Sequence, residues 1–326
     1  MIKLGIIMDP ISKINIDKDT SFVILLEAQY RKYQIFYMEI QDIYYLDGEI
    51  YGNSKILINL KENLNCWYEF GKEKNILLKK LDVILFRKDP PFNTQYLHTT
   101  YLLHLAEKKG SFIINKPKSI RHYNEKLLIT YFPQFIPYTL VTNNIKKIRE
   151  FHKKYQDIII KPIHKMGGES IFRLKKNDPN TSVILESVTK KEKRFCMVQN
   201  YLNEIQDGDK RILIINGNPI STCLARIPKI GETRANLAVG GKGEIRNLTK
   251  NDWKIAKTVS LFLKEKGLFF VGIDIIGNYL TEINITSPTC LKEINTKNNF
   301  SNYSITKLFL DEIEKQIKNK KNEKKY

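Results

Sequence analysis

The chain lacks several features that mark whole classes of protein. No apolar run approaches the ~20 residues that a membrane-spanning helix needs, and the first apolar stretch meets Asp9 and Pro10 too soon for a signal peptide. That stretch reads better as a buried strand. With 42% hydrophobic and 27% charged residues, the 326-residue chain does not have the composition of a disordered protein. We therefore exclude the membrane, secreted and fibrous classes and expect two or three subdomains.

Cysteine is scarce and scattered. The four cysteines form no CxxC pair and have no His-x3-His motif nearby, so the sequence predicts neither a zinc site nor a disulfide framework. They are Cys66, Cys196, Cys223 and Cys290. Reduced thiols in the cytoplasm are the simplest interpretation of this pattern.

Arginine is also scarce, although the net charge is +19. Only 10 of the 54 basic residues are arginines, and the lysine excess is spread along the chain except for a cluster near its end. Compositional drift of a whole genome leaves such a pattern. Arginine forks for phosphate or base contacts are few, and no zinc finger or RNP-type aromatic pattern is present. We expect no nucleic-acid partner; an RNA-associated binding protein acting through the basic tail is the alternative from another class.

The first ~115 residues alternate short apolar strands with helical patterns, which predicts a parallel α/β sheet. Polar loops follow two of the strands, at residues 9–15 and 87–92. Ligands of such sheets gather at the carboxyl ends of the strands. We therefore predict that these two loops bind a substrate.

Later segments change in character, and they suggest further boundaries. We predict an N-terminal unit over 1–121, a central unit over 122–202, a C-terminal unit over 203–317 and a basic tail over 318–326. The glycine-rich polar segment 227–243 has no core pattern and is too long for an ordinary turn. We expect it to be a mobile lid that excludes water from a reactive intermediate.

A predicted hairpin near the end of the chain carries three oxygen-bearing side chains. Asp274 lies in an apolar strand, and Glu282 and Asn284 share one face of the next, because side chains alternate along a strand. Such a set suits Mg²⁺; a half-exposed hairpin with polar residues facing outward is the alternative. A two-residue turn at Gly277 and Asn278 would put Asp274 and Glu282 on opposite faces. Sharing a metal therefore predicts an odd loop or a β-bulge.

Two further patterns leave their interpretation open. Arg211 and Arg226 lie in apolar strands, and a buried arginine needs an anionic partner. That partner is either Asp209 or Glu204 in a structural ion pair, or a carboxylate or phosphoryl group of a substrate. The loop containing Gly167-Gly168 is either an ordinary turn or a loop whose bare backbone covers a phosphate.

Taken in order, these motifs resemble the bacterial glutathione synthetase family of ATP-grasp ligases, from residue 1 to about 315. The resemblance rests on Lys126, Lys161-Pro162, Gly167-Gly168, Gln199-Asn200-Tyr201-Leu202, Asp207-Gly208-Asp209-Lys210-Arg211 and Thr281-Glu282-Ile283-Asn284, with Arg87-Lys88-Asp89-Pro90-Pro91-Phe92 upstream. It implies an α/β ATP-grasp fold, with an N-terminal parallel-sheet substrate domain, a small central lid domain and a C-terminal metal-binding domain.

The resemblance also implies a reaction. Such an enzyme joins γ-glutamylcysteine to glycine through an acyl phosphate, consumes ATP and uses Mg²⁺, with Mn²⁺ possible in its place. It implies a cytoplasmic homo-oligomer, a tetramer in this family. Another ATP-grasp carboxylate–amine ligase, such as a glutamate-adding or D-alanine-joining type, is the alternative, since the residues alone do not specify the acceptor amine.

The family resemblance assigns roles to residues by position. Lys126 and Lys161 hold phosphates beside Gly167 and Gly168, and residues 199–202 line the adenine pocket. Asp209 reaches the ribose. The metal ligands are Asp274, Glu282 and Asn284. The groups that stabilise the acyl phosphate are Arg211 and Arg226. The residues that orient the dipeptide are Arg87, Ser12 and Asn15.

The chain departs from the family pattern in its two glycine-rich loops. His164 and Lys165 replace an acidic residue and a glycine, Ile230 and Ala235 stand where glycines are usual, and Lys242 replaces an arginine. We expect stiffer loops, with slower lid closure or a raised KM for ATP or glycine. Unchanged kinetics on restoring glycine at position 165 or arginine at position 242 would contradict this expectation.

Overall fold

The structure, a computed structural model, describes residues 1–229, 231–232, 234–235, 240–297 and 304–323. Within these ranges the strands form three separate sheets. No helix in the described part of the chain combines the length and the apolar character needed to cross a bilayer.

The first sheet has seven strands in the order β3-β4-β2-β1-β6-β7, with β5 paired to β4. They are β1 (Lys3–Met8), β2 (Gln34–Met38), β3 (Ile43–Leu46), β4 (Glu49–Leu60), β5 (Tyr68–Leu77), β6 (Val83–Arg87) and β7 (Ile113–Ile114). Helices of this region are α1 (Thr20–Tyr30), α2 (Thr94–Lys108) and α3 (Pro117–His122).

The prediction of a parallel sheet is right for only part of this region. Strand β1 pairs parallel with β2 and β6, and β6 pairs parallel with β7. The strands β3, β4 and β5 add an antiparallel extension that we did not predict. Lys, Glu and Asn interrupt β4 and β5, and five of the ten residues of β5 are exposed, so these two strands lack the continuous apolar runs of buried parallel strands.

The second sheet is antiparallel, in the order β10-β9-β11-β8. Its elements are β8 (Thr139–Thr142), α4 (Ile145–Tyr155), β9 (Ile158–Pro162), β10 (Phe172–Leu174), α5 (Thr181–Thr189) and β11 (Cys196–Asn200). Ile148, Ile160 and Leu185 belong to a small core of their own. Upstream, Asn124 accepts from the backbone of Lys126 and Leu127, just before a 3-10 helix over Leu127–Tyr131.

The third sheet is antiparallel, in the order β14-β13-β12-β15-β16. Its elements are β12 (Asp209–Ile215), β13 (Asn218–Ile227), β14 (Lys242–Asn247), α6 (Lys250–Glu265), β15 (Phe270–Ile276) and β16 (Tyr279–Asn284). Helix α6 begins with a capping box between Thr249 and Asp252. It packs Ile255, Val259 and Leu263 against one face of this sheet.

Two final helices, α7 (Leu291–Lys297) and α8 (Ile305–Glu323), return the chain to the first sheet. Arg31 of α1 forms ion pairs with Asp311 and Glu314 of α8. Most of the predicted basic tail is therefore not a separate segment, because α8 continues to Glu323. Lys321 pairs with Asp82 at 2.9 Å.

Candidate functional site

Three cavities meet between the sheets, and each is named here by its position. The large cavity, of about 510 Å³, lies between the loops after β1 and β6 and residues 284–293. The inter-sheet cavity, of about 110 Å³, lies between the second and third sheets. The side cavity, of about 150 Å³, lies beside α3 and residues 163–166. Gly167 and Glu282 line both the large and the inter-sheet cavity, so these two spaces are continuous there.

A β-bulge sets the register of the hairpin that carries the predicted metal ligands. Ile276 pairs with Tyr279 across the turn, but Asp274 pairs with Glu282, because the register shifts by one residue at Thr281. Directly opposed residues of an antiparallel pair share one face. Asp274 and Glu282 therefore lie together, and of the two predicted devices, an odd loop or a bulge, the structure has the bulge.

Two buried arginines surround Asp274. Arg211 donates to both of its carboxylate oxygens, with Nη2 2.8 Å from Oδ2, and Arg226 Nη2 lies 3.0 Å from Oδ1. Burial alone would raise the pKa of Asp274, but the two guanidinium groups hold it well below its usual range. Arg226 also pairs with Asp209 at 2.6 Å. The two arginines are therefore paired with Asp274 and Asp209. Asp209 was one of the partners left open by the sequence, whereas Glu204 pairs with neither arginine in the described residues.

Two buried lysines approach Glu282. Lys126 Nζ donates to Glu282 Oε1 at 2.9 Å, and it also donates to the carbonyl of Lys165. Lys161 Nζ lies 3.3 Å from the carbonyl oxygen of Thr281. Burial lowers the pKa of Lys161 to about 8, although Glu282 acts in the opposite direction. A phosphate beside these ammonium groups would complete their charge balance.

The predicted metal ligands have the right chemistry and a common face. Asn284 Nδ2 lies 3.1 Å from Asp274 Oδ2, and Glu282 is two residues from Asn284 on the same strand. Two carboxylates and an amide supply the hard oxygen donors that Mg²⁺ prefers. In the described residues no three His, Cys, Asp or Glu side chains form a metal-binding group, so a divalent cation here would need oxygen ligands from phosphate or water as well.

The inter-sheet cavity contains all the residues predicted to bind a nucleotide. Lining it are the two lysines, the two glycines, the end of β11 and its following residues, and an aspartate: Lys126, Lys161, Gly167, Gly168, Gln199, Asn200, Tyr201, Leu202 and Asp209. Gly167 and Gly168 have φ of +64° and +81°, where a side chain is strained. Asp209 lines this space while its Oδ2 is held by Arg226.

Sequence reasoning missed a group of three residues beside this cavity, in which an arginine contacts both an aspartate and the Tyr201 ring. Arg173 makes two hydrogen bonds to Asp157, at 2.9 and 2.6 Å, and its guanidinium lies 3.4 Å from the centroid of the Tyr201 ring. The cation and the ring thus stack. Because the three residues come from β10, the position before β9 and the segment after β11, no local sequence pattern reveals the arrangement.

The predicted dipeptide-binding residues are not all in the large cavity. Asn15 lines it, but Ser12 and Arg87 do not. Arg87 is buried beneath, where Nε donates to Ser21 at 3.1 Å and Nη2 to the Pro288 carbonyl at 3.0 Å. The two loops predicted to bind a substrate do contribute charged residues to this cavity, namely Asp9, Lys13 and Asp89. Four further charged residues that we did not predict also line it: Lys18, Asp19, Glu125 and Glu293.

The altered loops are only partly within the described residues. Ile230 lies outside them, as do parts of the predicted lid. Strand β14 begins at Lys242, so this lysine belongs to a strand and not to a loop, and it faces Glu244 at 3.3 Å. Arg234 Nη1 lies 3.4 Å from the carbonyl of Gly168 and thus connects the two glycine-rich loops.

The amino-acid sequence matches two models of one known family, which together cover most of the chain. A model of the prokaryotic glutathione synthetase N-terminal domain matches residues 2–121, and one of the prokaryotic glutathione synthetase ATP-grasp domain matches residues 125–299. The chain belongs to the prokaryotic glutathione synthetase family. The predicted family and the predicted ATP-grasp fold are both confirmed.

Curated relatives of the family are similar over nearly their full length. Glutathione synthetase of Buchnera aphidicola subsp. Acyrthosiphon pisum (strain APS) is 57% identical over 316 residues, which cover 97% of this chain and 98% of the relative. Glutathione synthetase of Escherichia coli (strain K12) is 53% identical over 317 residues, covering 97% and 99%. Among solved structures, D-cycloserine synthetase DcsG is similar with a TM-score of 0.65 at 10% identity, over 95% of this chain and 99% of that one. That likeness concerns the fold alone.

Proposed function

We propose that this chain is an ATP-dependent ligase that joins γ-glutamylcysteine to glycine and forms glutathione, ADP and phosphate. Family membership carries the reaction class: the prokaryotic glutathione synthetases are ATP-grasp ligases that depend on a divalent metal ion. One observation in the structure supports the class most directly. The lysine-lined inter-sheet cavity and the large cavity meet at Gly167 and Glu282, so a phosphoryl group in one could reach a carboxylate in the other.

In this proposal the nucleotide occupies the inter-sheet cavity. The segment Gln199–Leu202 would contact adenine, with Arg173 supporting the Tyr201 ring from behind. The ammonium groups of Lys126 and Lys161 would neutralise the phosphates. Lys126 would then exchange its ion pair with Glu282 for one with phosphate, which would free Glu282 for a metal ion.

The metal would be Mg²⁺, held by Asp274, Glu282 and Asn284 together with phosphate oxygens and water. When bound, such an ion offsets the negative charge of the β- and γ-phosphates. The protein supplies the oxygen donors from two adjacent strands at a fixed register. Carboxylate and amide donors, with no thiolate or imidazole among them, favour Mg²⁺ or Mn²⁺ over zinc.

The proposed reaction has two chemical steps, both at the junction of the large and the inter-sheet cavity. The cysteinyl carboxylate of the dipeptide attacks the γ-phosphorus, an O–P bond forms, and the bond from that phosphorus to ADP breaks. The neutral glycine amine then attacks the carbonyl carbon of the acyl phosphate, and a C–N bond forms. The C–O bond breaks, and phosphate leaves with the bonding electron pair and takes up the proton that the nitrogen loses. Arg211 and Arg226 line the large cavity, where their charges would stabilise the acyl phosphate and the oxyanion.

Water must be kept from the acyl phosphate, since hydrolysis would waste it. We assign that role to the segment 227–243, part of which lies outside the described residues. The bond between Arg234 and the Gly168 carbonyl supports a common closure of both glycine-rich loops.

We also propose a cytoplasmic location, where the four unpaired thiols would remain reduced. We further propose a homo-oligomer, which sedimentation equilibrium would test.

The test is phosphate release from Mg·ATP with γ-glutamylcysteine, with and without glycine, using alanine and glutamate as competing acceptors. We expect release that depends on both γ-glutamylcysteine and glycine, with the tripeptide as the product. Release that depends on a different acid or amine would contradict the substrate assignment and favour another ATP-grasp carboxylate–amine ligase. No turnover with any pair would contradict the proposed activity itself.

A further inference from the structure

Asn115 follows β7 at the end of the first sheet, and its side chain reaches into the third sheet. Its Nδ2 donates to the carbonyl oxygens of Phe270 at 2.8 Å and of Ile285 at 2.6 Å, and its Oδ1 accepts from Phe270 N at 2.8 Å. The residue is buried, and it lines none of the three cavities. Any effect of Asn115 on the reaction must therefore act through the residues that it bonds to.

The hydrogen bonds of Asn115 lie at the open end of the hairpin formed by β15 and β16. We call it the metal-ligand hairpin, because it carries the three proposed metal ligands. Its strands pair backbone to backbone as far as Gly272 and Asn284. Phe270 and Ile285 lie just beyond this pair, and the Asn115 amide joins them. A side chain from the end of the first sheet thus continues the hairpin past its last backbone pair.

The backbone on both sides of Asn284 is held from outside the third sheet. Strand β16 is the edge strand of that sheet, so its outer N–H groups need partners elsewhere. Ile283 N donates to the Glu125 carbonyl oxygen at 3.1 Å, and Ile285 N donates to Glu125 Oε1 at 2.7 Å. The carbonyl oxygen of Ile285 accepts from Asn115. Asn284 therefore lies between two residues whose backbone is fixed by the segment that joins the first and second sheets.

The Asn284 amide is turned so that its oxygen can bind a metal ion. Its Nδ2 donates to Gly272 O at 3.3 Å and to Asp274 Oδ2 at 3.1 Å. Its Oδ1 accepts no hydrogen bond from the described residues. Mg²⁺ tolerates little departure from octahedral geometry, so the fit of this oxygen depends on how the backbone next to Asn284 is held.

We propose that Asn115 is a positioning residue for the reaction, which holds the open end of the metal-ligand hairpin so that Asn284 can bind the divalent cation beside the two carboxylates. This inference rests on the proposed function, since it concerns the metal ion used in that reaction. Asn115 contacts neither substrate nor metal and acts through Phe270 and Ile285. The geometry of the metal site thereby depends on the end of the first sheet.

The test measures how much a metal ion tightens nucleotide binding, which needs no catalysis. Calorimetry on the full-length protein gives the Kd of AMPPNP, a non-hydrolysable ATP analogue, with and without Mn²⁺, and the ratio of the two is the gain from the metal. We expect this gain to fall about 10-fold in Asn115→Ala, as is typical when a residue that orients a metal ligand is removed. The Kd of AMPPNP without metal should stay within about twofold of wild type, because Asn115 does not line the inter-sheet cavity.

Ser119→Ala is the matched control, since it removes a buried hydrogen bond between the same two parts of the molecule. Ser119 Oγ, on α3, donates to the carbonyl oxygen of Lys266, which follows α6 and lies outside the metal-ligand hairpin. Both variants should unfold at a lower urea concentration than wild type, but Ser119→Ala should keep the gain from Mn²⁺ within about twofold. An undiminished gain in Asn115→Ala, or an equal fall in both variants, would overturn the inference.

A measurement on the wild-type protein covers the case in which Asn115→Ala does not fold. If the hydrogen bonds of Asn115 favour metal binding, then metal binding must by linkage stabilise those bonds. Addition of Mg²⁺ to the AMPPNP complex should therefore slow hydrogen exchange of the Phe270 N–H, which donates to Asn115, by about 10-fold. Exchange of the Lys116 N–H, which donates to Gly267 O at 3.2 Å between the same two parts, should not change. Equal effects on the two protons, or no effect on either, would overturn the inference.

Failure of the proposed function would give a different result. A wild-type protein that releases no phosphate with γ-glutamylcysteine and glycine would overturn that function, even if Mn²⁺ tightened the binding of AMPPNP. A wild-type protein whose binding of AMPPNP is not tightened by Mn²⁺ would overturn the metal site and, with it, the role of Asn115.

Discussion

The third sheet and the first sheet both contribute to the large cavity, but they hold their polar groups by different means. In the third sheet the charges themselves are buried and paired: Arg211 and Asp274 come from adjacent strands, β12 and β15, and are directly opposed. In the first sheet the polar groups lie on the loop after β1, where the ion pair of Asp9 with Lys88 is part-exposed and side chains hold the backbone of Ile11. Ile11 N donates to Tyr37 Oη at 3.1 Å, and Ile11 O accepts from Trp67 Nε1 at 3.0 Å.

This difference has a physical consequence for each region. A buried charge without its partner is costly, so substitutions in the third sheet should affect folding and catalysis together. The hydrogen bonds that hold the backbone of Ile11 are neutral and contribute only about 1 kcal/mol each, so substitutions of their partners should affect substrate binding alone. The experiments below test whether the two regions really differ in this way.

The largest effect is expected for Arg211→Met. This change leaves Asp274 with one guanidinium partner in a buried site, and breaking such a pair costs about 3–5 kcal/mol. The measurement is the free energy of unfolding in urea without nucleotide. Arg246→Met is the matched control on β14, where the ion pair with Glu244 is part-exposed; it should cost no more than about 1 kcal/mol. Equal losses in the two variants would remove the distinction between the regions.

Glu282→Gln should reduce kcat by about 10²–10³-fold, because one negatively charged donor is removed from the site where phosphate and metal would meet. Steady-state rates at saturating Mg²⁺ check this expectation. Glu204→Gln is the control. Glu204 lies next to Gly277 but lines none of the three cavities, so this variant should leave kcat unchanged. A fully active Glu282→Gln protein would argue against metal or phosphate binding at this strand pair.

Lys161 should take up a proton when a nucleotide binds. Its pKa is about 8 in the folded protein, and nearby phosphate would raise it, so at pH 8 the uptake should be about half a proton. Calorimetry of nucleotide binding in buffers of different ionisation enthalpy measures it. Lys161→Arg, which stays charged, should abolish the uptake, and undiminished uptake in that variant would assign the proton to another group.

The lowered pKa of Lys161 also predicts how the free energy of unfolding depends on pH in the absence of nucleotide. The pKa of Lys161 is below the ordinary lysine value of 10.5, so between about pH 8 and 10.5 the unfolded chain binds more protons than the folded one. The contribution of this residue to the unfolding free energy therefore rises with pH across that window. Comparison of urea unfolding for wild type and Lys161→Met isolates it; parallel curves would contradict the shift.

Trp67→Phe tests the first sheet. It keeps an aromatic ring but removes the hydrogen bond to Ile11 O, worth about 1 kcal/mol, so the KM for the acid substrate should rise about fivefold. The KM for ATP should not change. Tyr68→Phe is the control in the adjacent position, since its ring packs on Trp67 without a hydrogen bond to the loop. If the KM for ATP also changed in Trp67→Phe, the contact of Trp67 with Ile11 would support more than the loop after β1.

The smallest effect is expected at the end of α8. Removal of residues 320–326 takes away the contact of Lys320 with the Phe112 ring and the pair of Lys321 with Asp82, each worth less than about 1 kcal/mol. Ile317, which is buried, is retained. Ligase activity should be unchanged, and loss of activity on truncation would give the tail a role that its contacts do not suggest.

Much of the site could be predicted because its residues are close together in sequence or lie at a fixed period. Asp274, Glu282 and Asn284 lie within one hairpin, and alternation along its strands is enough to predict that a shared metal needs an odd loop or a bulge. Chain order along the motifs was likewise enough to identify the family and the ATP-grasp fold. The amino-acid sequence by itself determined these features, since each depends on local spacing or on the order of residues.

The tertiary structure decided which distant residues meet. It places Arg87 beneath the large cavity and not in it, pairs Arg211 with Asp274 across 63 residues, and brings Trp67 to Ile11 across 56. It also sets Glu125 against the backbone of Ile285 and Thr286. Such contacts follow from strand order and from the packing of separate sheets, which no period in the sequence encodes. Local spacing therefore indicates which chemical groups are present, and only the packing of the three sheets decides what each of them touches.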